Sequence, residues 1–288
     1  MVVSALLMIV ACKKDDKNTM IVEGNIDGLK VGTIYLQQFV NDKLTNIDSV
    51  VANGNGKFTF KRHLESPEVF FIYLDLKKQA GTDLGDRLMF FGEPKQITIN
   101  SSYDMFEVKA NISGSQSQKD YGEYAHTMRQ FGMRNAELLE QQVNAFKAGN
   151  TTLADSLNAA SEKNNFRRHL FVLNYALTHP DSYITPYVVL VDAPNTRVKY
   201  LDSIYGKLSK DVAASTYGKE FKTYIEVARK AERERAAKEA EKQAKEQGTQ
   251  SAQEIANQTT ENGEVVEVVA VEGGEVAVVQ EEVVPKKA

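Results

Sequence analysis

The chain of 288 residues holds one cysteine and no tryptophan. A lone thiol excludes an intrachain disulfide, a C-x-x-C redox centre and a cysteine-based zinc site. Histidine is almost as scarce. None of His63, His126, His169 and His179 has a second histidine three or four residues away, the helix spacing that brings two imidazoles to one metal. No metal and no cofactor is expected. There is no G-x-S-x-G elbow. The stretch Gly54-Asn55-Gly56-Lys57 lacks the earlier glycine of a phosphate loop and places Phe58 where Ser or Thr would bind magnesium. An excess of basic residues is missing too: 35 Lys and Arg against 39 Asp and Glu give a net charge of -4. That leaves no electrostatic footprint for nucleic acid. No apolar run approaches the roughly 20 residues needed to span a bilayer as a helix.

What is present begins with Val2 to Val10, a short apolar segment of the length used in export signals. Ile9-Val10-Ala11-Cys12 resembles a lipobox. The resemblance implies cleavage after residue 11 and acylation of Cys12, which accounts for an otherwise unpaired cysteine in an exported chain. Lipid on Cys12 would hold the chain to a membrane, each buried methylene contributing about 0.8 kcal/mol. No Lys or Arg precedes Cys12, so translation is expected to start upstream of Met1. Residues 12–19 read as a tether. Within it, Lys13-Lys14-Asp15-Asp16 is similar to the lysine-plus-acidic-pair motif that exports some lipoproteins to the outer face of the outer membrane; the bland reading is a solvated linker. The expected location is the outer membrane, facing the periplasm or the cell surface.

Residues 20–115 read as an antiparallel β-sandwich of about eight short strands. Ile21 to Ile26, Gly32 to Leu36 and Leu44 to Val51 are rich in β-branched and aromatic residues, between polar breaks. Asn53-Gly54-Asn55-Gly56 predicts a tight hairpin turn. In the strand that follows, Phe58 and Phe60 alternate with Lys57, Thr59 and Lys61, so one face is buried and the other wet. Val69 to Leu74 is almost continuously apolar and is expected at the centre of a sheet. Leu88 to Phe91, Gln96 to Asn100 and Phe106 to Ala110 complete the set.

Gly24, Tyr35-Leu36, Asp48-Ser49-Val50, Gly56-Lys57-Phe58-Thr59-Phe60 and Ile112-Ser113-Gly114-Ser115 occur in the order found in a known family. The chain resembles the uncharacterised N-terminal β domain of bacterial thiol:disulfide interchange lipoproteins, together with the helical spacer that follows it, through Tyr217-Gly218-Lys219-Glu220. The resemblance covers about residues 20–225. In many members a thioredoxin-like domain comes next. Here no such stretch and no C-x-x-C follows Arg229, so redox activity is not implied.

Residues 116–229 read as an α-helical bundle. Ser115 or Ser117 caps a helix carrying Tyr121, Tyr124, Met128, Phe131, Leu138, Val143 and Phe146, which Gly149-Asn150 stops. A second helix starts at Thr151, carries Leu153, Leu157, Phe166, Leu170, Leu173 and Leu177, and ends at His179-Pro180. Shorter helices are expected over Tyr183 to Val191 and Asn195 to Leu208. From residue 230 to 247 alanine is the only apolar residue among alternating charges, as in a solvated helix held by i,i+4 pairs such as Glu234 with Lys238. Residues 248–288 are acidic and valine-rich with Gly-Gly pairs, a composition that favours disorder. The sharper alternative has the valine tracts adding as strands to a partner's sheet. The fold class is thus α+β.

Three functional classes follow. The first is a non-catalytic, membrane-tethered binding or scaffolding module, using the sandwich, the bundle or the crevice between them, with an envelope protein as partner. The second, implied by the family resemblance alone, is an accessory of an envelope thiol:disulfide interchange system. The third is a hydrolase whose carboxylates converge only in the fold. Asp48-Ser49-Val50, Asp155-Ser156-Leu157 and Asp202-Ser203-Ile204 also resemble the Asp-Ser-aliphatic acceptor of bacterial O-glycosylation.

Overall fold

The computed structural model describes residues 17–41, 43–75, 87–261, 268–270 and 276–278. Eight strands come first: β1 (Thr19–Asp27), β2 (Val31–Val40), β3 (Lys43–Asn53), β4 (Lys57–His63), β5 (Glu68–Asp75), β6 (Arg87–Gly92), β7 (Gln96–Ser102) and β8 (Asn111–Ser113). They form two four-stranded sheets, ordered β4-β1-β7-β8 and β3-β2-β5-β6. The pairing is antiparallel except between β1 and β7, which run parallel from Ile21 beside Gln96 to Asp27 beside Ser102.

The core between the sheets is built by alternation. Val22 and Ile26 of β1, Phe58 and Phe60 of β4, and Ile97 and Ile99 of β7 meet Ile34, Leu36, Phe70, Ile72, Leu74 and Phe90 from the other sheet. The predicted alternation in β4 holds, with Lys57, Thr59 and Lys61 exposed. The unbroken apolar run in β5 has a different cause. Phe70, Ile72 and Leu74 face the opposing sheet, whereas Val69 and Phe71 belong to a second core formed with helices. A strand covered on both faces needs no polar alternate. As expected, β5 lies inside its sheet.

Two sequence expectations are corrected here. Asn53 to Gly56 is a turn, but it does not close a hairpin. It carries the chain from β3, at the edge of one sheet, to β4, at the edge of the other. Gly54 takes φ of +79°, and the Asn55 side chain accepts from the Lys57 amide at 3.1 Å. The second correction concerns Phe106 to Ala110, which is not a strand. A short 3-10 turn over Tyr103–Met105 precedes it and β8 starts only at Asn111. Phe106 is buried all the same, as a core plug from a turn.

The helices are α1 (Gln116–Lys147), α2 (Thr151–Thr178), α3 (Ile184–Asp192), α4 (Val198–Tyr205), α5 (Lys210–Ala214) and α6 (Thr216–Glu261). Ser115 is the cap of α1, its hydroxyl accepting from the Gln118 amide at 3.0 Å. Asn150 caps α2 through the Leu153 amide at 3.0 Å. The helix expected over Asn195 to Leu208 is α4, shorter at both ends, and α5 follows beyond the expected span. Tyr124, Val172, Tyr175, Ile184 and Val188 pack against Val69 and Phe91, so helices cover the outer face of the β5–β6 side of the sheet. Several of the apolar residues that mark these helices in the sequence face outward. Val143 and Phe146 of α1 and Leu153, Phe166 and Leu170 of α2 are all exposed. The seam between α1 and α2 is partly polar: Asn164 donates to Asn135 at 2.8 Å and to the Phe131 carbonyl at 3.0 Å.

Residues through Tyr224 form one compact unit, and Ile225 onward a second. In the second unit the charged helix continues past Gln247 to Glu261. Its ion pairs include Lys230 with Glu234 at 4.0 Å and Lys245 with Glu241 at 2.9 Å. Two valine-rich pieces, β9 (Val268–Ala270) and β10 (Val276–Val278), pair with each other in antiparallel register.

Candidate functional site

A cleft of about 530 Å³ opens where the helical layer meets the upper end of β2 and β5. Its origin lies in the sheet. β2 and β5 pair only from Thr33 beside Asp75 to Gln37 beside Phe71. At Leu36/Gln37 the register of β2 against β3 shifts by one residue. Such a bulge bends and twists a strand pair, and beyond it Gln38, Phe39 and Val40 no longer pair with Glu68, Val69 and Phe70. Gln37 marks the divergence. It is buried, donating to Asn46 at 2.7 Å and accepting from Arg87 at 3.1 Å.

Helical side chains supply hydrogen bonds that the sheet leaves unmade. The Val69 amide donates to the Tyr217 hydroxyl at 3.0 Å. At the opposite edge, on β6, the Phe91 amide donates to the Gln118 side chain at 2.8 Å. Phe91 is fully buried and forms an aromatic hub, 5.3 Å from Tyr121, 5.2 Å from Tyr187 and 6.5 Å from Tyr217 between ring centroids. Burial pushes the Tyr187 phenol up to about 12 and that of Tyr217 up further. Both are neutral hydroxyls at ordinary pH.

The polar wall of the cleft centres on Glu68. One of its oxygens accepts from the Gln38 side-chain Nε2 and the other from the Thr216 hydroxyl, the latter at 2.9 Å. Thr216 is fixed in turn by its own amide, which donates to Ser66 Oγ at 3.1 Å. The hydrogen-bond donors to Glu68 are thus a carboxamide and a hydroxyl, both neutral. Glu220, one turn along α6, is a second carboxylate on the wall, and none of the lining residues is basic. Phe39, 58% exposed, stands edge-on to Phe71 with centroids 5.8 Å apart.

A second cavity, of about 360 Å³, lies at the start of α1. One of its carboxylates, Glu93, holds the helix to the sandwich. Glu93 is buried, accepts from the Ser117 amide and the Ser115 hydroxyl, and pairs with Lys95 at 3.1 Å. Burial pushes its carboxyl up, but the Ser117 and Lys95 bonds outweigh that and hold it below the usual range. Asp120 accepts from Gln116 and from Ser182. Deeper in the helices Asp192 joins Arg168, at 2.8 Å, to the buried Tyr124 hydroxyl, at 2.7 Å.

Cys12 and Lys13, Lys14, Asp15 and Asp16 lie outside the described residues. The histidines are dispersed: His126 is beside Gln130, His169 beside Thr196, and His179 stacks on Tyr175 at 4.1 Å. Among the described residues no three His, Cys, Asp or Glu side chains converge as a metal site, and no helix is long and apolar enough to cross a membrane. Ser49, Ser156 and Ser203 of the Asp-Ser-aliphatic motifs are all exposed. The cleft residues Glu68, Phe39 and Thr216 carry no local motif. Tyr217 and Glu220 stood in the stretch that carries the end of the family resemblance.

Fold and cleft together define a class: a two-sheet sandwich with helices clamped over one sheet and a ligand-sized opening where that sheet splits. Residues 20–121 match the family model of a domain of unknown function (DUF4369). That span takes in every strand of the sandwich and the first turns of α1, including Ser115, Gln118 and Tyr121, which lock helix to sheet. No curated protein and no solved structure matches the chain.

Proposed function

We propose that this protein is a membrane-anchored lipoprotein of the cell envelope and acts as a non-catalytic binding or scaffolding module, with the cleft between β2, β5, α3 and α6 as its ligand site. The observation that carries the reading is the cleft itself, about 530 Å³ and walled by aromatic rings and a fixed carboxylate. Its volume falls within the roughly 300–1,000 Å³ of ordinary ligand sites. The anchor rests on the lipobox-like Ile9-Val10-Ala11-Cys12 and the apolar segment before it. Palmitate or a comparable acyl chain on Cys12 holds the module to the outer membrane, and Lys13 to Asp16 direct it to the outer face. Test: a photo-reactive residue at Val191, which lines the cleft and is 56% exposed, is introduced in cells. The expected result is a specific adduct with an envelope protein, reduced when Cys12→Ala removes the anchor. Turnover of a substrate, abolished by a point mutation in a folded protein, would overturn the non-catalytic assignment.

A second reading makes the module an accessory of an envelope thiol:disulfide interchange system. It draws on the sequence resemblance over residues 20–225, with the redox domain supplied by another chain. A deletion strain whose envelope proteins keep an unchanged thiol status removes that reading.

A further inference from the structure

We propose that the cleft receives a cationic side chain, the guanidinium of an arginine or the ammonium of a lysine, presented by the partner polypeptide. The inference rests on the binding-module reading and adds the chemistry of what is bound. Charge is the first reason. Glu68 is held by two neutral donors, Gln38 and Thr216, so its orientation is fixed while its charge is not compensated by either. Glu220 adds a second carboxylate to the same wall, and the lining contributes no Lys, Arg or His. A half-buried carboxylate is costly to keep without a counter-charge, and a cation entering the cleft supplies one.

The aromatic walls are the second reason, independent of the first. Phe39, Phe71, Tyr187 and Tyr217 line the same space as Glu68. Phe39 is largely exposed although its ring stands edge-on to Phe71. Ring faces beside a carboxylate suit a cation with an apolar stem, because the ring quadrupole attracts the charge while the methylenes cover the rings. An anion would meet two carboxylates here. A purely apolar group would bury Glu68 with no counter-charge. Leu190 and Val191 at the rim offer further apolar contact to the stem. The aromatic walls also separate this cleft from the cavity at the start of α1, where Glu93 already has Lys95.

The test uses the full-length protein with its leucine and valine methyl groups labelled for NMR, reporting at Leu190 and Val191. Three probes are titrated: Ac-Gly-Arg-Gly-amide, the same peptide with neutral citrulline in place of arginine, and 1,4-diaminobutane. The expected result is saturable movement of both reporters with the arginine peptide and at least tenfold weaker binding of the citrulline peptide. Glu68→Gln should weaken the arginine peptide about tenfold. Phe39→Ala, at an exposed position where folding is not at risk, should weaken it severalfold. Equal binding of arginine and citrulline peptides, or arginine binding unchanged in Glu68→Gln, overturns the proposal while leaving the cleft as a binding site. Diaminobutane binding as tightly as the arginine peptide assigns the cleft to free amines and overturns the polypeptide occupant. Silence from all three probes overturns the inference outright, and the in-cell adduct at Val191 then judges the binding-module reading separately.

Discussion

At the scale of single residues, glycines with no room for a side chain tie the sandwich together. A Cβ on Gly24 would lie 1.8 Å from the Ile99 carbonyl oxygen of the parallel neighbour β7, and one on Gly56 would lie 2.1 Å from that of Ile26. Neither obstacle is a flexible side chain, so the backbone must move. Gly24→Ala and Gly56→Ala should each lower stability by about 2–3 kcal/mol, read from urea midpoints. Gly132 in the exposed run of α1 meets nothing within 4 Å. Gly132→Ala should therefore raise stability by about 0.5–1 kcal/mol. Glu93 makes a prediction in pH. Its carboxyl titrates lower in the folded chain than its ordinary value of 4.5, so folding favours the ionised form. The contribution is complete above the unfolded value and is lost as pH falls through the folded one. Unfolding midpoints of the native chain should therefore drop between about pH 5 and pH 3. Glu93→Gln should start lower at neutral pH and drop less over that interval. An equal drop in both proteins would remove Glu93 from the acid response.

At the scale of elements, helices and sheet exchange hydrogen bonds where a ladder ends. Tyr217 accepts from the Val69 amide at the point where β2 leaves β5. Tyr217→Phe keeps the ring in its cluster and strands that amide. The expected cost is about 1–3 kcal/mol, checked by thermal unfolding and by faster exchange of the Val69 amide. The strands themselves were largely legible. Phe58 and Phe60 announced one wet face, and Val69 to Leu74 announced a strand with none, because burial dictates period directly. The split of the sheet was not legible. A bulge needs one extra residue in β3 and leaves no composition signal, so Gln38, Phe39 and Glu68 looked like ordinary strand-end residues. The turn at Asn53 to Gly56 was read correctly as a turn and wrongly as a hairpin, since positive φ at Gly54 fixes a reversal and not the sheet that receives the next strand. In α1 and α2, apolar spacing marked the helices but not their inner face, for Val143, Phe146 and Phe166 are exposed. Of the apolar residues named for α1, Leu138 is buried, as are the unremarked Ala145 and Ala154, and Asn164 bonds across to Asn135.

At the scale of the whole molecule, the proposed anchor and the cleft make separable demands. The sandwich and helices through Tyr224 form a compact unit with two cores drawn from residues between Met20 and Tyr217. Cys12→Ala should therefore leave the unfolding midpoint of that unit unchanged while moving the protein from the membrane fraction to the soluble one. Retention on membranes after Cys12→Ala would show that attachment runs through another surface. The sequence pointed to such an anchor because acylation needs only a short linear motif; it could not point to the cleft, which brings Phe39, Glu68, Tyr187 and Glu220 together from four elements. Tethering matters to a weak site of this kind. A single cationic side chain in an open cleft binds modestly, and confinement to one membrane raises the local concentration of a partner held there too. The partner adduct at Val191 should accordingly fall in Cys12→Ala cells although the purified variant binds the arginine peptide as tightly as the native chain. If peptide binding falls as well, the leader segment contributes to the site itself and the two functions are not separable.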